Sequence, residues 1–133
     1  KFFYLFSKII VCCALFCGFW KTDGAKRTPP AFGPFLMYGL GGIFVETFKD
    51  VSFRVAPIDK TTASQMIKET NSYNLLNGAR GIAKKDISAL ENVLIRLGQL
   101  ANDCPQIEEL DINPLIVLDE GEGCYIADAT IIL

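Results

Sequence analysis

Residues 110–133, LDINPLIVLDEGEGCYIADATIIL, predict two strands joined by a tight turn. Apolar and polar residues alternate over 110–113, which is the pattern of a strand with one buried face. Pro114 interrupts that pattern, and an apolar run follows it. The glycine-containing segment 120–123 predicts the turn, because glycine adopts the backbone angles that tight turns require. Residues 124–133 then predict the returning strand of an antiparallel hairpin.

Three polar side chains on this hairpin are candidate metal ligands. Asp111 and Asn113 are two positions apart on a strand, so they point to the same face. The turn brings Asp128, near the middle of the returning strand, back toward Asn113. Carboxylate and amide oxygens suit Mg²⁺, which keeps several waters and takes phosphate oxygens as further ligands. The same spacing also fits a solvated polar strand face, with Asn-Pro serving as a turn.

The segment before the hairpin predicts two helices. Asp86 is a suitable cap for the longer one, and Pro105 ends it. The helix has an apolar face with helical spacing, made of Ile87, Leu90, Val93, Leu94, Leu97, Leu100 and Ala101. A shorter helix is expected to open at Thr62, since Gln65 three residues later completes a capping box.

Further upstream, the pattern predicts strands and a glycine-rich loop. Residues 34–38 form an apolar run that fits a short buried strand, and glycines follow it at 39–42. Gly41 and Gly42 are candidates for contact with phosphate, although the run lacks the spacing of a known phosphate loop and equally fits a tight turn. Residues 43–57 predict a second hairpin, with a short helix over 43–49 as the alternative.

Two charged residues in this part of the chain are weaker candidates. Glu46 lies on the predicted hairpin, where a solvated charge or an ion pair is the common case. Arg80 lies between Gly78 and Gly81, and a guanidinium on a glycine-rich loop can hold a phosphate. On local grounds alone, a solvated loop arginine fits as well.

Composition restricts the function classes. The chain has 133 residues, a net charge of -2 and no histidine. It therefore has the size of one small domain, carries no basic stripe for nucleic acid, and cannot form a histidine-dependent triad by itself. Its five cysteines include no C-x-x-C pair. This usage predicts reduced, structural thiols and a cytoplasmic protein.

The N-terminal residues 2–20 are almost wholly apolar. Their length allows a membrane helix, a buried helix or strand pair, or a start that is misjoined to a good domain. We favour the misjoined start over a membrane helix, because of the mismatch described below. We therefore do not expect a membrane partner. The expectation is that residues 1–25 stand apart from a domain at 26–133, and that residues 2–20 make few contacts with it.

Four segments, PFLMYGLGGIFVETFKDVSFRVAPI, NLLNGARG, ELDINPLIV and IADATIIL, occur in an order and spacing that resemble the ADP-forming acyl-CoA synthetases. The resemblance is to the ATP-grasp region of these enzymes and covers about residues 26–133. It implies an α+β fold, namely the C-terminal subdomain of an ATP-grasp domain, with an antiparallel sheet and two packed helices. It also implies ATP or ADP and Mg²⁺ as cofactors.

The resemblance further implies roles for individual residues. Asn113 and Asp128 match positions that bind Mg²⁺ in the related succinyl-CoA synthetases, and Asp111 matches an acidic residue that faces the phosphohistidine. In the loop GLGGIFVE, Gly41 and Gly42 are expected near phosphates and Glu46 in the active-site wall. Arg80 falls in a family motif and is grouped with the phosphate-binding candidates.

Two departures qualify these expectations. Residues 1–20 do not resemble the preceding lobe of the family, which supplies a phosphate-binding lysine, and the phosphorylated histidine lies in other domains. The chain is therefore expected to carry half of a nucleotide site and to need a CoA-binding, histidine-bearing domain or subunit as partner. The rival hypothesis is a non-catalytic or membrane-tethered interaction module that keeps the fold.

Overall fold

The computed structural model describes residues 5–12, 33–40 and 50–133, with residues 5–12 and Arg80 described by their backbone alone. Residues 41–49 lie outside the described residues. They include the first part of the predicted hairpin 43–57, the alternative helix 43–49, and the candidates Gly41, Gly42 and Glu46. The elements are β1 Leu5–Cys12, β2 Phe35–Leu40, β3 Val51–Val55, α1 Lys60–Lys68, α2 Ser72–Leu76, a short 3-10 helix Ala79–Gly81, α3 Ile87–Asp103, β4 Glu109–Val117, β5 Cys124–Ile126 and β6 Ala129–Ile132.

The described strands form one antiparallel sheet. Its order is β3-β2-β1-β4-β5, and β6 pairs with β4 beyond the end of β5. The predicted returning strand is thus two short strands, because residues 127 and 128 interrupt the ladder between Ile126 and Ala129. The predicted α+β fold with an antiparallel sheet is confirmed.

The apolar N-terminal run does not stand apart from this sheet. The backbone of β1 lies between β2 and β4, with Ile10 opposite Met37 on one side and Asp111 on the other. The expectation of few contacts is therefore wrong for Leu5–Cys12. An apolar run without alternation fits a buried strand as well as it fits a helix. Of the helices in the described part of the chain, none has the length and apolar character to cross a membrane.

Helices α1 and α3 cover one face of the sheet, which we call the closed face. Apolar residues from the helices and from alternate strand positions form a single core there. Its fully buried members include Leu36, Tyr38, Met66, Ile67, Leu76, Leu90, Leu94, Ile112, Leu115 and Val117. The predicted apolar face of the long helix matches this core at Leu90, Leu94, Leu97 and Ala101, whereas Leu100 is 37% exposed.

Strand β3 alternates between polar and apolar residues, with its polar residues on the closed face. Ser52 is buried and donates a hydrogen bond from Oγ to the Met66 carbonyl at 2.9 Å. Arg54 forms an ion pair with Glu69 at the end of α1. Phe53 and Val55 point the other way and are 48% and 52% exposed. The apolar set of β3 therefore lies on the side of the sheet that carries no helix among the described residues, which we call the open face.

The helix caps agree with prediction in one case and not in the other. Asp86 caps α3 by accepting from the Ala89 N–H at 2.9 Å, as its position predicts. The predicted cap at Thr62 is wrong, because α1 begins at Lys60 and Asp59 is its N-cap. The Asp59 carboxylate accepts from the Thr62 N–H at 2.8 Å, so an acidic residue three positions earlier takes the role assigned to the threonine.

Asp86 also fixes the turn between β4 and β5. Its Oδ2 accepts from the N–H groups of Gly121 and Gly123, at 3.1 and 2.9 Å. Beside it, the buried Lys85 donates to Asp119 at 2.6 Å, and the Asp86 N–H donates to a backbone carbonyl at the end of β4. One carboxylate thus ties the start of α3 to the hairpin that carries the candidate site.

Candidate metal and nucleotide site

Asn113 on β4 and Asp128, in the gap between β5 and β6, are neighbours on adjacent backbone segments. The Asn113 N–H donates to the Asp128 carbonyl oxygen at 3.1 Å, and the next residue pair is joined by the Ala127 N–H and the Pro114 carbonyl at 3.0 Å. Both Asn113 and Asp128 are exposed. The backbone therefore holds an amide and a carboxylate side by side, in contact with solvent.

Asp111 lies two residues before Asn113 on β4. Leu110, just before Asp111, and Ile112, between Asp111 and Asn113, are 4% and 1% exposed. Both belong to the core on the closed face. Because side chains alternate along a strand, Asp111 and Asn113 lie on the open face. Asp111 is half-buried, and its Oδ1 is shielded from solvent.

The strand changes face at Pro114. Before it, even-numbered residues enter the core, whereas after it Leu115 and Val117 do so. The register between β1 and β4 shifts at the same place, between Ser7 and Ile9. Proline has no N–H to donate to the ladder, so within a sheet it is found at irregularities of this kind. The break in β4 and the gap between β5 and β6 coincide, and Asn113 and Asp128 lie at both.

The donor set fits a magnesium ion that carries a phosphate ligand. Across the described ranges, no group of three or more His, Cys, Asp or Glu side chains could hold a metal. Asp111 and Asp128 supply two carboxylates, and Asn113 adds an amide oxygen. Mg²⁺ is commonly held by one or two carboxylates, with waters and substrate phosphates completing its shell. Such an ion would need the exposure that Asn113 and Asp128 have.

Comparison with known proteins identifies the fold that carries this site. The model of the ATP-grasp domain family matches residues 24–133, which is most of the chain. The chain belongs to the ATP-grasp family. The matched range includes the four segments quoted above and the hairpin with Asn113 and Asp128.

Relatives of this ATP-grasp chain include longer ligases. The beta subunit of ADP-forming acetate–CoA ligase I from Pyrococcus furiosus is 49% identical over 104 residues, covering 78% of this chain and 44% of that subunit. The ADP-forming 4-hydroxybutyrate–CoA ligase of Nitrosopumilus maritimus is 45% identical over 106 residues, covering 80% and 15%. The chain thus spans less than half the length of these relatives.

A solved structure gives the same result for the fold. The dinucleotide-forming acetyl-coenzyme A synthetase 1 of Candidatus Korarchaeum cryptofilum, in complex with coenzyme A and Mg-AMPPCP, matches with a TM-score of 0.82 and 40% sequence identity. The match covers 100% of this chain and 55% of that one. The resemblance to ADP-forming acyl-CoA synthetases is therefore confirmed at the level of sequence and fold.

The described residues show no contact between the Asn113–Asp128 pair and the other site candidates of this ATP-grasp chain. Gly41, Gly42 and Glu46 lie outside them. The backbone of Arg80 is in the short 3-10 helix, between Gly78 and Gly81, which both have positive φ angles. That loop continues to Lys84 and Lys85, which contact the β4–β5 turn through Glu120 and Asp119. Roles for these four residues remain predictions.

One polar residue near the pair was not singled out from the sequence. Thr130 on β6 lies opposite Asp111 and two residues after Asp128, and its side chain is exposed. The signal available in the sequence was the two-residue spacing from Asp128, the same spacing that linked Asp111 to Asn113. Threonine is common in strands, so its presence alone does not indicate a site.

Proposed function

We propose that this chain is the nucleotide- and Mg²⁺-binding segment of an ADP-forming acyl-CoA synthetase. The proposed reaction of the whole enzyme is acyl-CoA + ADP + phosphate ⇌ acid + CoA + ATP. The observation that carries the proposal is the Asn113–Asp128 pair, which the backbone hydrogen bond at 3.1 Å holds on facing strands. The relatives named as ADP-forming CoA ligases support the reaction class.

In this proposal, the Asn113 amide oxygen and the Asp128 carboxylate hold Mg²⁺. When bound, the ion would bridge nucleotide phosphates and neutralise their charge. Their exposure leaves room for water and phosphate oxygens in the rest of the coordination shell. Of the cysteines whose side chains the structure describes, Cys104 and Cys124 carry free thiols, and burial raises the pKa of Cys124, which favours its protonated form.

Asp111 is the proposed catalytic carboxylate. It would face a phosphohistidine supplied by another domain or subunit, because this chain contains no histidine. Its shielded Oδ1 and its place on the open face leave it beside the metal pair and away from the helices. Gly41, Gly42 and Arg80 are proposed to contact the nucleotide phosphates, and Glu46 to act at the active-site wall.

The open face gives a reason to expect a partner and weak binding by the chain alone. Phe53 and Val55 are about half exposed on that face, at the opposite edge of the sheet from the site, and Asn113 and Asp128 are exposed as well. A charge interaction that is open to water is much weaker than one in a closed site. We therefore propose that a CoA-binding, histidine-bearing domain or subunit completes the site, in the cytoplasm.

The test is titration of Mg-ADP into the isolated chain, followed by NMR. The side-chain amide signals of Asn113 should shift, with a dissociation constant in the millimolar range and no synthetase turnover. Asp128→Asn keeps the size of the side chain and removes its charge, so it should weaken binding about tenfold or more, as expected for a lost charged contact. Glu122→Gln, which alters an exposed turn residue, is the matched control and should bind normally.

Two results would contradict this account in different ways. If Mg-ADP leaves the Asn113 signals unchanged at every concentration, the nucleotide site is elsewhere. If binding is micromolar and depends on Asp128, the chain holds a complete pocket, and the half-site part of the proposal fails.

A further inference from the structure

Strand β6 places one more side chain beside the proposed site. Thr130 is the cross-strand partner of Asp111 in the β4–β6 ladder. Cross-strand partners point to the same face, with their Cα atoms about 4.5–5.5 Å apart. Asp111 lies on the open face, so Thr130 lies there too, and its side chain is exposed.

Thr130 is also close to Asp128 along the chain. Asp128 lies directly before β6, and the hydrogen bond from the Asn113 N–H to the Asp128 carbonyl oxygen continues the β4–β6 pairing by one residue. Asp128 and Thr130 are therefore on the same side, because side chains alternate along paired backbone. Ala129, between them, is opposite Ile112, which belongs to the closed face. Asp111, Asn113, Asp128 and Thr130 therefore form a two-by-two arrangement of polar side chains on the open face, which we call the polar quartet.

The four members differ in what they can offer a phosphate. The carboxylates of Asp111 and Asp128 only accept hydrogen bonds when ionised, and the oxygens of a nucleotide phosphate also only accept. A phosphate bound here would therefore need hydrogen-bond donors in addition to the metal ion. The Thr130 hydroxyl is a neutral donor on the residue that pairs with Asp111 and lies two positions after Asp128.

We propose that the Thr130 hydroxyl donates a hydrogen bond to a phosphate oxygen of the nucleotide whose metal is held by Asn113 and Asp128. This inference rests on the proposed function, and it adds a ligand-binding residue to the same site. It also gives a reason for a hydroxyl on β6, whose next two residues, Ile131 and Ile132, are apolar although they are 54% and 46% exposed.

The alternative explanation is that threonine serves β6 only as a good strand former. The two explanations separate on one substitution. Valine has the shape and strand preference of threonine but no hydroxyl. Thr130→Val should therefore leave the sheet intact and remove the proposed hydrogen bond. Thr130→Ser keeps the hydroxyl and should keep the interaction.

The experiment compares two probes on the full 133-residue chain. Mg-ADP is followed by the shifts of the Asn113 side-chain amide signals, and Mn²⁺ alone by their paramagnetic broadening. Thr130→Val should weaken Mg-ADP binding about fivefold, equivalent to about 1 kcal/mol, and leave Mn²⁺ binding unchanged. Thr130→Ser should stay within about twofold of the unsubstituted chain for both probes. Thr61→Val, on the exposed side of α1, is the matched control.

The results distinguish failure of the Thr130 inference from failure of the proposed function. Thr130→Val with unchanged Mg-ADP affinity overturns the inference and leaves the proposed function intact, provided that Asp128→Asn still loses binding. Equal weakening of Mg-ADP and Mn²⁺ by Thr130→Val also overturns it, because the hydroxyl would then act through the structure of the metal pair. If the unsubstituted chain binds neither probe at Asn113, the proposed function fails and the inference fails with it.

Discussion

The two faces of the sheet differ in how far their side chains are buried, although they share the same strands. On the closed face, Leu110 and Ile112 of β4 are nearly inaccessible and pack under the helices. On the open face, Asp111 and Asn113 of the same strand are half-buried and exposed. Up to Pro114, the strand therefore supplies the core with its even residues and the candidate site with its odd ones. Stability and ligand binding are carried by different side chains.

The contrast is sharpest at β3. Its buried residue is the polar Ser52, which finds a hydrogen-bond acceptor in the Met66 carbonyl, whereas Phe53 and Val55 remain about half exposed. Phe53 lies against Phe35 on the open face, with ring centroids 6.3 Å apart. An uncovered apolar area of this kind is typical of a surface that contacts another protein part. The closed face is complete within the described residues, and the open face is not.

The largest predicted effect concerns the closed face. Leu94→Ala on α3 removes a fully buried side chain from the core and should lower the free energy of unfolding by about 3 kcal/mol, through lost burial and the cavity left behind. Urea unfolding of the isolated chain measures this loss. Mg-ADP affinity at the open face should not change in the folded variant.

Leu100→Ala is the matched control, because it makes the same change on the same helix. Leu100 is 37% exposed, so its loss should cost less than about 1 kcal/mol. If the two variants lose equal stability, the core is not where the buried residues indicate, and the division between the two faces does not hold.

Much of the closed face was predictable, because its signals are local. The long helix has its cap at Asp86 and an apolar period that fixes its buried side, and α3 agrees with both. The start of α1 was assigned incorrectly because Asp59 and Thr62 can both cap a helix, and the backbone geometry that chooses between them is not written in the sequence. Strand β1 was missed because an unbroken apolar run does not distinguish a strand from a helix.

The open face was predictable only in part. The spacing of Asp111 and Asn113 predicts a shared face, and the alternation of burial along β4 agrees with it. The same spacing links Thr130 to Asp128, but it does not place Thr130 beside Asp111, because that pairing joins residues nineteen positions apart in the chain. Such pairing is set by the whole sheet and by the break at Pro114.

A smaller predicted effect tests the polar residue of the closed face. Ser52→Ala removes the donor that satisfies the Met66 carbonyl, so unfolding should become easier by about 1 kcal/mol. The same urea measurement applies. Ser88→Ala, at an exposed position of α3, should cause no loss, since alanine is the better helix former. An unchanged stability of Ser52→Ala would mean that the hydrogen bond contributes nothing to holding β3 against α1.

The smallest predicted effect concerns the cap of α1 and depends on pH. Hydrogen bonds from the Thr62 side chain and backbone N–H hold the pKa of Asp59 below its usual value of 3.8. A carboxyl whose pKa is lowered on folding stabilises the folded state above its unfolded pKa, and that contribution is lost as the pH falls through the folded pKa. Asp59→Asn keeps a capping side chain and removes the charge. The stability advantage of Asp59 over the Asp59→Asn variant should therefore be full at neutral pH and vanish as the pH falls below 3.8, as thermal unfolding at a series of pH values will measure.

Glu122→Gln is the control for the change in net charge. If the advantage of Asp59 persists unchanged in acid, the charge of Asp59 is not what stabilises the helix on the closed face.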